Sequence, residues 1–170
     1  KKHHGQGHQV CVADICDLEQ QVNMVQTQAC RPPDEWLVDS GASVHVTNAS
    51  DTMRNVQPSN QKVTVGNGEF LCATERGTLV LEGTDNGIIT LSDVLYVPGF
   101  KQNVFSMTKL LKEGTKLVKW NTEHLTLQNA NCGTVRIGKQ ADKEMFYFKC
   151  KRVKEKTASV MVAEKETTLD

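Results

Sequence analysis

Over residues 35–150, apolar side chains recur at every second position in short runs, and residues that favour turns close each run. Lys62-Val63-Thr64-Val65, Thr78-Leu79-Val80-Leu81, Ile88-Ile89-Thr90-Leu91 and Leu125-Thr126-Leu127 carry the period of two that sends alternate side chains to one face of a strand. Between them lie Gly66-Asn67-Gly68, Glu82-Gly83-Thr84-Asp85-Asn86-Gly87 and Asn131-Cys132-Gly133, which supply the positive backbone angles of hairpins. This punctuation implies a mainly antiparallel β body. Further strands are expected at 115–120, 124–128, 133–138 and 145–149. One short helix is expected as well: Ser106 caps it, Met107, Leu110 and Leu111 share a face, Lys109 and Lys112 look outward, and Gly114 supplies a left-handed stop.

The two ends of the chain have a different character. Residues 1–34 are rich in Gln and His, with a weak helical spacing at Leu18, Val22 and Val25 that stops at Pro32-Pro33, as expected of a flexible leader. Residues 151–170 are charged and lack aromatic side chains, as expected of a mobile tail, and Lys149-Cys150-Lys151-Arg152 reads as its solvated start. The expected organisation is therefore a leader (1–34), one domain (35–150) whose core is about 36–114 with a β extension, and a tail.

Composition narrows the partners. Lys and Arg total 20 against 20 Asp and Glu, so no net basic field argues for direct nucleic-acid binding. The apolar runs are strand-sized, far below the roughly 20 residues that span a bilayer, and an intracellular, cytoplasmic protein off the membrane is expected. Six cysteines at 11, 16, 30, 72, 132 and 150 are irregularly spaced, which fits reduced thiols. His3, His4 and His8 with Cys11 and Cys16 lack the Cys-x2-Cys spacing of a zinc knuckle, so neither metal nor cofactor is expected.

The chemistry concentrates in Trp36-Leu37-Val38-Asp39-Ser40-Gly41-Ala42-Ser43. An apolar strand that ends in a carboxyl group must bind the ionised form with hydrogen bonds or keep it protonated. Gly41 permits a tight turn that brings backbone N–H groups to the acid, Ser40 offers a small hydroxyl, and Ala42 and Ser43 leave room. Hydrolysis of an amide without metal or nucleophile needs one carboxyl to accept a proton from water and another to donate one to the carbonyl oxygen. Asp51, Asp85 and Asp93 are followed by Thr-Met, Asn-Gly and Val-Leu, so no second Asp-Ser/Thr-Gly exists. The partner acid has to come from a second chain related by a two-fold axis.

Asp39-Ser40-Gly41-Ala42 resembles the signature of retropepsins. The longer run Trp36 to Ser43 with His45 and Thr47, then Val65-Gly66-Asn67-Gly68, then Asp93-Val94-Leu95-Tyr96-Val97-Pro98-Gly99-Phe100 with Asn103 and Ser106, closely resembles the aspartic protease of copia-type LTR retrotransposons. The resemblance is close over 36–114 and looser to about 150. It implies a retropepsin-like closed β-barrel of the acid protease fold, all-β with one short helix, active as a homodimer on a peptide or polyprotein substrate, the element's own Gag-Pol. By residue, it implies that Asp39 is catalytic and that Ser40 bonds across the dimer axis. Gly41 and Ala42 form the turn beneath substrate, Val65, Gly66, Asn67 and Gly68 the flap, and Val104 and Phe105 buttress the Asp39 strand. Ser106 stands where retroviral enzymes carry glycine, and retroviral enzymes end near the helix that this chain continues beyond.

His45, six residues past the acid, reads as structural, because a carboxyl dyad already supplies both acid and base. Two other readings remain open on sequence alone. One is a retroelement-derived dimerisation or protein-binding module without activity; the other is a nucleic-acid-binding barrel, disfavoured by zero net charge and by only two Trp, two Tyr and five Phe.

Overall fold

A computed structural model describes residues 20–21, 34–129, 133–139 and 144–154. In chain order its early strands are β1 (Gln20–Gln21), β2 (Glu35–Asp39), β3 (Val46–Thr47), β4 (Arg54–Pro58), β5 (Lys62–Thr64) and β6 (Phe70–Cys72). The long hairpin β7 (Glu75–Gly83) and β8 (Ile88–Tyr96) follows, then β9 (Asn103–Ser106), the helix α1 (Met107–Lys112), and the strands β10 (Lys116–Trp120), β11 (His124–Asn129), β12 (Gly133–Lys139) and β13 (Phe146–Arg152).

Six strands close into a barrel in the order β13-β2-β9-β3-β8-β7, with β7 returning to β13. Two parallel pairs, β2 with β9 and β3 with β8, come from segments far apart in sequence and are joined by an antiparallel bridge between Val46 and Val104. The other joints of the barrel are antiparallel. The chain is thus all-β with a closed six-stranded barrel and one short helix. β13 runs along β2 on one edge and divides its other edge, giving Phe146 and Tyr147 to β12 and Cys150, Lys151 and Arg152 to β7. The meander β10–β12 therefore grows from the barrel wall, and closure of the 36–114 core depends on a strand beyond it.

Strand β2 is buried on both faces, which is why Trp36-Leu37-Val38 is an unbroken apolar run. Trp36 and Val38 enter one cluster with Leu79, Leu81, Ile89, Leu91, Phe105 and Phe148, while Leu37 joins Val46, Val63, Val65, Leu95, Val104 and Tyr147 in a second. Adjacent residues of β9 and β13 split the same way, Val104 from Phe105 and Tyr147 from Phe148. Each such large side chain contributes about 1.5–3 kcal/mol by leaving water.

Several expectations need correction. Ser106 caps α1 by accepting from the Lys109 N–H, and Gly114 takes φ +94° beyond its end, but Leu111 is 43% exposed and does not share the buried face of Met107 and Leu110. Lys109 does not simply look outward, since it reaches Glu113 at 3.0 Å and Asp93 at 3.9 Å. Arg152 belongs to β13, not to a solvated tail. Of the leader, Gln20 and Gln21 are strand, parallel to Val63 and Thr64, rather than helix. The remainder of 1–33 and all of 155–170 lie outside the described residues, as do Asn131 and Cys132.

The β7–β8 turn clips the barrel to the meander. Asn86 adopts φ +61°, and Asp85 accepts the Gly87 N–H at Oδ1 and the Arg136 N–H of β12 at Oδ2, at 3.1 and 2.9 Å. A Cβ at Gly87 would stand 2.5 Å from the Thr134 carbonyl oxygen, whereas one at Gly138 would meet nothing within 4 Å. Gly87→Ala is expected to cost about 1–3 kcal/mol and Gly138→Ala less than about 0.5 kcal/mol in urea unfolding. Equal effects would show that the clip does not exist.

Candidate active site

Asp39 is the last residue of β2, so its carboxyl emerges where a packed strand has to turn, and it is only 9% exposed. The Gly41 N–H donates to Oδ1 at 2.7 Å, while Oδ2 is buried with no hydrogen-bond partner among the described residues. Burial pushes the carboxyl pKa above the ordinary 3.8, and the backbone N–H groups of Gly41 and Ala42 pull the other way. An oxygen so placed either carries a proton or is met by a group from outside the chain.

Ser106 lies directly opposite Asp39 in the parallel ladder of β2 and β9. It is fully buried and makes three contacts: its N–H donates to His45 Nδ1 at 3.0 Å, its Oγ donates to the Ala42 carbonyl at 2.6 Å, and the same Oγ accepts the Lys109 N–H at 3.1 Å. One residue thereby starts the helix and pins the turn after the acid. Thr108 pins the turn again, its Oγ1 donating to the Ser40 carbonyl at 2.7 Å. The turn is held from the helix side at two successive even positions, which a glycine at 106 would not do.

His45 is buried completely, and with Nδ1 accepting from Ser106 its ring proton sits on Nε2. Burial first, and the Lys109 charge second, push its pKa from 6.5 down to about 3. The ring therefore stays neutral and acts as an acceptor and packing unit, edge-on to Phe105 at 5.8 Å. Phe105 in turn meets Phe148 edge-on at 6.0 Å.

The geometry gathers Asp39, Gly41, Ala42 and Ser106 around one turn, with Val104 and Phe105 buried on opposite faces behind it. Ser40 and Gly41 are exposed beside the buried acid. The hairpin β5–β6 carries Val65 at its tip, buried in the same cluster as Ala42, Val44 and Phe100, while Gly66, Asn67 and Gly68 are exposed. The tip is a tight turn: the Gly68 N–H donates to the Val65 carbonyl at 2.8 Å, Asn67 Oδ1 accepts the Glu69 N–H at 3.0 Å, and Gly68 adopts φ +82°. The glycine tip is thus rooted in the core beneath the acid turn and free of it beyond Val65.

Below the acid, sequence reasoning missed a buried polar network. Asn103 Oδ1 accepts from Thr47 Oγ1, the Asn48 N–H and Arg152 Nη2 at 2.9, 3.2 and 3.2 Å, and its Nδ2 donates to the Glu35 carbonyl at 3.1 Å. The signal for Asn103 was a polar residue inside an apolar strand; for Arg152 there was none. Among the described residues no group of three or more His, Cys, Asp or Glu is placed to hold a metal, and His3, His4, His8, Cys11 and Cys16 lie outside them. The buried Cys150 thiol is pushed up to about 12 by desolvation, so it is not a nucleophile. A cleft of about 500 Å³ is lined by Asp34, Glu35, Glu82, Gly83, Lys149 and Cys150 among others, and by no residue of the acid turn. No helix of the described residues is long and apolar enough to cross a membrane.

The closed barrel has a counterpart among known families: residues 36–115 match the family described as "Pol polyprotein, beta-barrel domain". This part of the chain is homologous to the β-barrel region of retrotransposon Pol polyproteins. In particular, the chain is 26% identical over 113 residues to the "Retrovirus-related Pol polyprotein from transposon RE2" of Arabidopsis thaliana, and 25% identical over 113 residues to the corresponding RE1 polyprotein. These alignments cover 65% of this chain and 8% of each relative, so the chain spans a small part of their length. No solved structure matches the chain significantly.

The state of His45 predicts an acid-labile fold. Below 6.5 the unfolded chain takes up a proton that the folded imidazole refuses until about 3, so this contribution is complete above 6.5 and is lost as pH falls through that window. His45→Asn keeps an acceptor for Ser106 but does not titrate. The stability of the variant relative to wild type should rise on acidification, on the order of 4 kcal/mol by about pH 3. A difference independent of pH would contradict the burial.

Proposed function

We propose that this chain is the protease segment of a copia-type retrotransposon Pol polyprotein, an aspartic endopeptidase that works as a symmetric homodimer. The observation that carries this reading is the Asp39 carboxyl: buried, raised in pKa, one oxygen bound to the Gly41 N–H and the other without a partner among the described residues. A second Asp39 brought across a two-fold axis would meet that oxygen, and two carboxyls so close share one proton because they cannot both ionise cheaply.

The ionised member takes a proton from a water lying between them as that water's oxygen adds to the scissile carbonyl carbon. The protonated member gives its proton to the carbonyl oxygen. The tetrahedral diol then collapses: the C–N bond breaks as the nitrogen takes a proton from one carboxyl, and a diol hydroxyl gives its proton to the other as the new C=O forms, which restores the singly protonated dyad. The turn fixed by Ser106 and Thr108 holds each acid while this happens, Ser40 is the hydroxyl at the junction of the two chains, and Gly41 and Ala42 lie beneath the substrate. Val65, Gly66, Asn67 and Gly68 close over it as the flap, their rooted hairpin and exposed glycine tip suiting a lid on a fixed hinge. Val104 and Phe105 support the acid strand from behind. The substrate is an extended stretch of the element's own polyprotein, met inside the cell, and the chemistry uses neither metal nor cofactor.

The purified chain should cut peptides spanning its own flanking segments, with a rate that rises faster than linearly with enzyme concentration and that a statine-type inhibitor stops. Asp39→Asn should reduce cutting by at least about 10⁴-fold while leaving the fold intact. Cutting retained by that variant in a clean preparation sinks the assignment.

A further inference from the structure

The final barrel strand ends in Arg152, whose side chain is 6% exposed. Its Nη1 donates to the Ala49 carbonyl at 2.7 Å, and its Nη2 donates to Thr47 Oγ1 at 3.0 Å and Asn103 Oδ1 at 3.2 Å. The guanidinium carbon lies 5.7 Å from the centre of the Trp36 ring, and Nη1 stands 4.0 Å from Asp51 Oδ1. One cation therefore touches β2 through Trp36, β9 through Asn103, and β3 with the loop after it through Thr47 and Ala49. These are the strands that set the acid turn. Trp36 pairs with Asn103 in the same parallel ladder in which Asp39 pairs with Ser106, so the clamp sits about 10 Å, three residue pairs, below the carboxyl.

We propose that Arg152 is a positioning residue for Asp39, and that the working domain therefore extends through Val153, well past the family match that stops at residue 115; this rests on the protease reading above. The guanidinium is the part that matters: its planar fork serves three acceptors at once while its face lies over an indole, which an ammonium does not reproduce. Removing it takes one of three donors from Asn103 Oδ1 and leaves the Ala49 carbonyl to compete with Asn103 for the single Thr47 hydroxyl proton, which loosens the tie between β3 and β9 and frees β2 to shift against β9. Val153 completes the clasp, its N–H donating to the Val80 carbonyl at 2.9 Å and its carbonyl accepting from Arg54 at 3.3 Å. A self-processing cut on the C-terminal side must accordingly fall after Val153, because any cut between 115 and 152 unlocks the acid strand.

The test compares wild type, Arg152→Lys and Arg152→Met in the full chain by urea unfolding, amide hydrogen exchange, and kcat and KM on one junction peptide. The expected result is cooperative unfolding in both variants, exchange at Gly41 at least tenfold faster with β10–β12 unchanged, and kcat lower by about 10- to 100-fold with KM within threefold. Lysine should recover part of the stability that methionine loses, but not kcat. Gly41 exchange and kcat within twofold of wild type in a folded variant overturn the proposal. So does protection lost uniformly over the barrel, or failure of both variants to fold, since Arg152 would then serve folding alone. If wild type itself does not cut, the protease reading fails, and Gly41 exchange still decides whether Arg152 positions the acid.

Discussion

Placing an ionisable carboxyl at the end of a strand that is buried on both faces is the constraint to which the surrounding structure answers. Trp36, Leu37 and Val38 leave Asp39 no water-facing side of β2 to use, and desolvation raises its pKa while only one of its oxygens receives a backbone donor. Buried polar groups are costly unless they are paired, and the backbone around Asp39 is held by side-chain hydrogen bonds from two sides. Ser106, Thr108 and His45 bind the turn from the helix side, and Asn103, Thr47 and Arg152 bind its strands from below. Asp39 Oδ2, like Trp36 Nε1 and His45 Nε2, is buried with no hydrogen-bond partner among the described residues, and of the three it alone belongs to a group that becomes an anion on ionising.

The topology explains how such a site is held. Parallel pairing of β2 with β9 and of β3 with β8 interlocks segments 67 and 49 residues apart in sequence, and the first pair fixes the acid turn and the helix cap on one ladder. Because β2, β9 and β13 each send neighbouring side chains to two different clusters, a shift of any one strand disturbs both. β13 closes the barrel and carries the cation that reaches three other strands, which makes the last described strand part of the site's foundation rather than an appendage.

Much of this was legible in the residues. The period of two in Thr78-Leu79-Val80-Leu81, the Gly66-Asn67-Gly68 and Asp85-Asn86-Gly87 turns, and the Ser106 cap each arise from local physics and occur where local rules place them. The position of Asp39 at the mouth of an apolar strand followed from Trp36-Leu37-Val38 being too apolar for a one-sided strand. The failures share a different cause. Leu111 is exposed because the helix is only six residues long and packs along one narrow line, and Lys109 is drawn inward by Asp93 and Glu113, which lie elsewhere in the sequence or just past its end. Arg152 was misread because its partners Thr47, Asn103 and Trp36 are 49 or more residues away, and a charge run carries no mark of what will fold over it.

The central claim is that the unpartnered oxygen of Asp39 meets its counterpart on a second chain. It is tested most directly by following the ¹³C signal of the Asp39 carboxyl across pH at concentrations where the protein is associated and where it is dilute. The account predicts two separated titration steps in the associated protein, one proton being shared by the pair, and a single step above 3.8 when the chains are apart. A single step near the ordinary aspartate value at every concentration would contradict it.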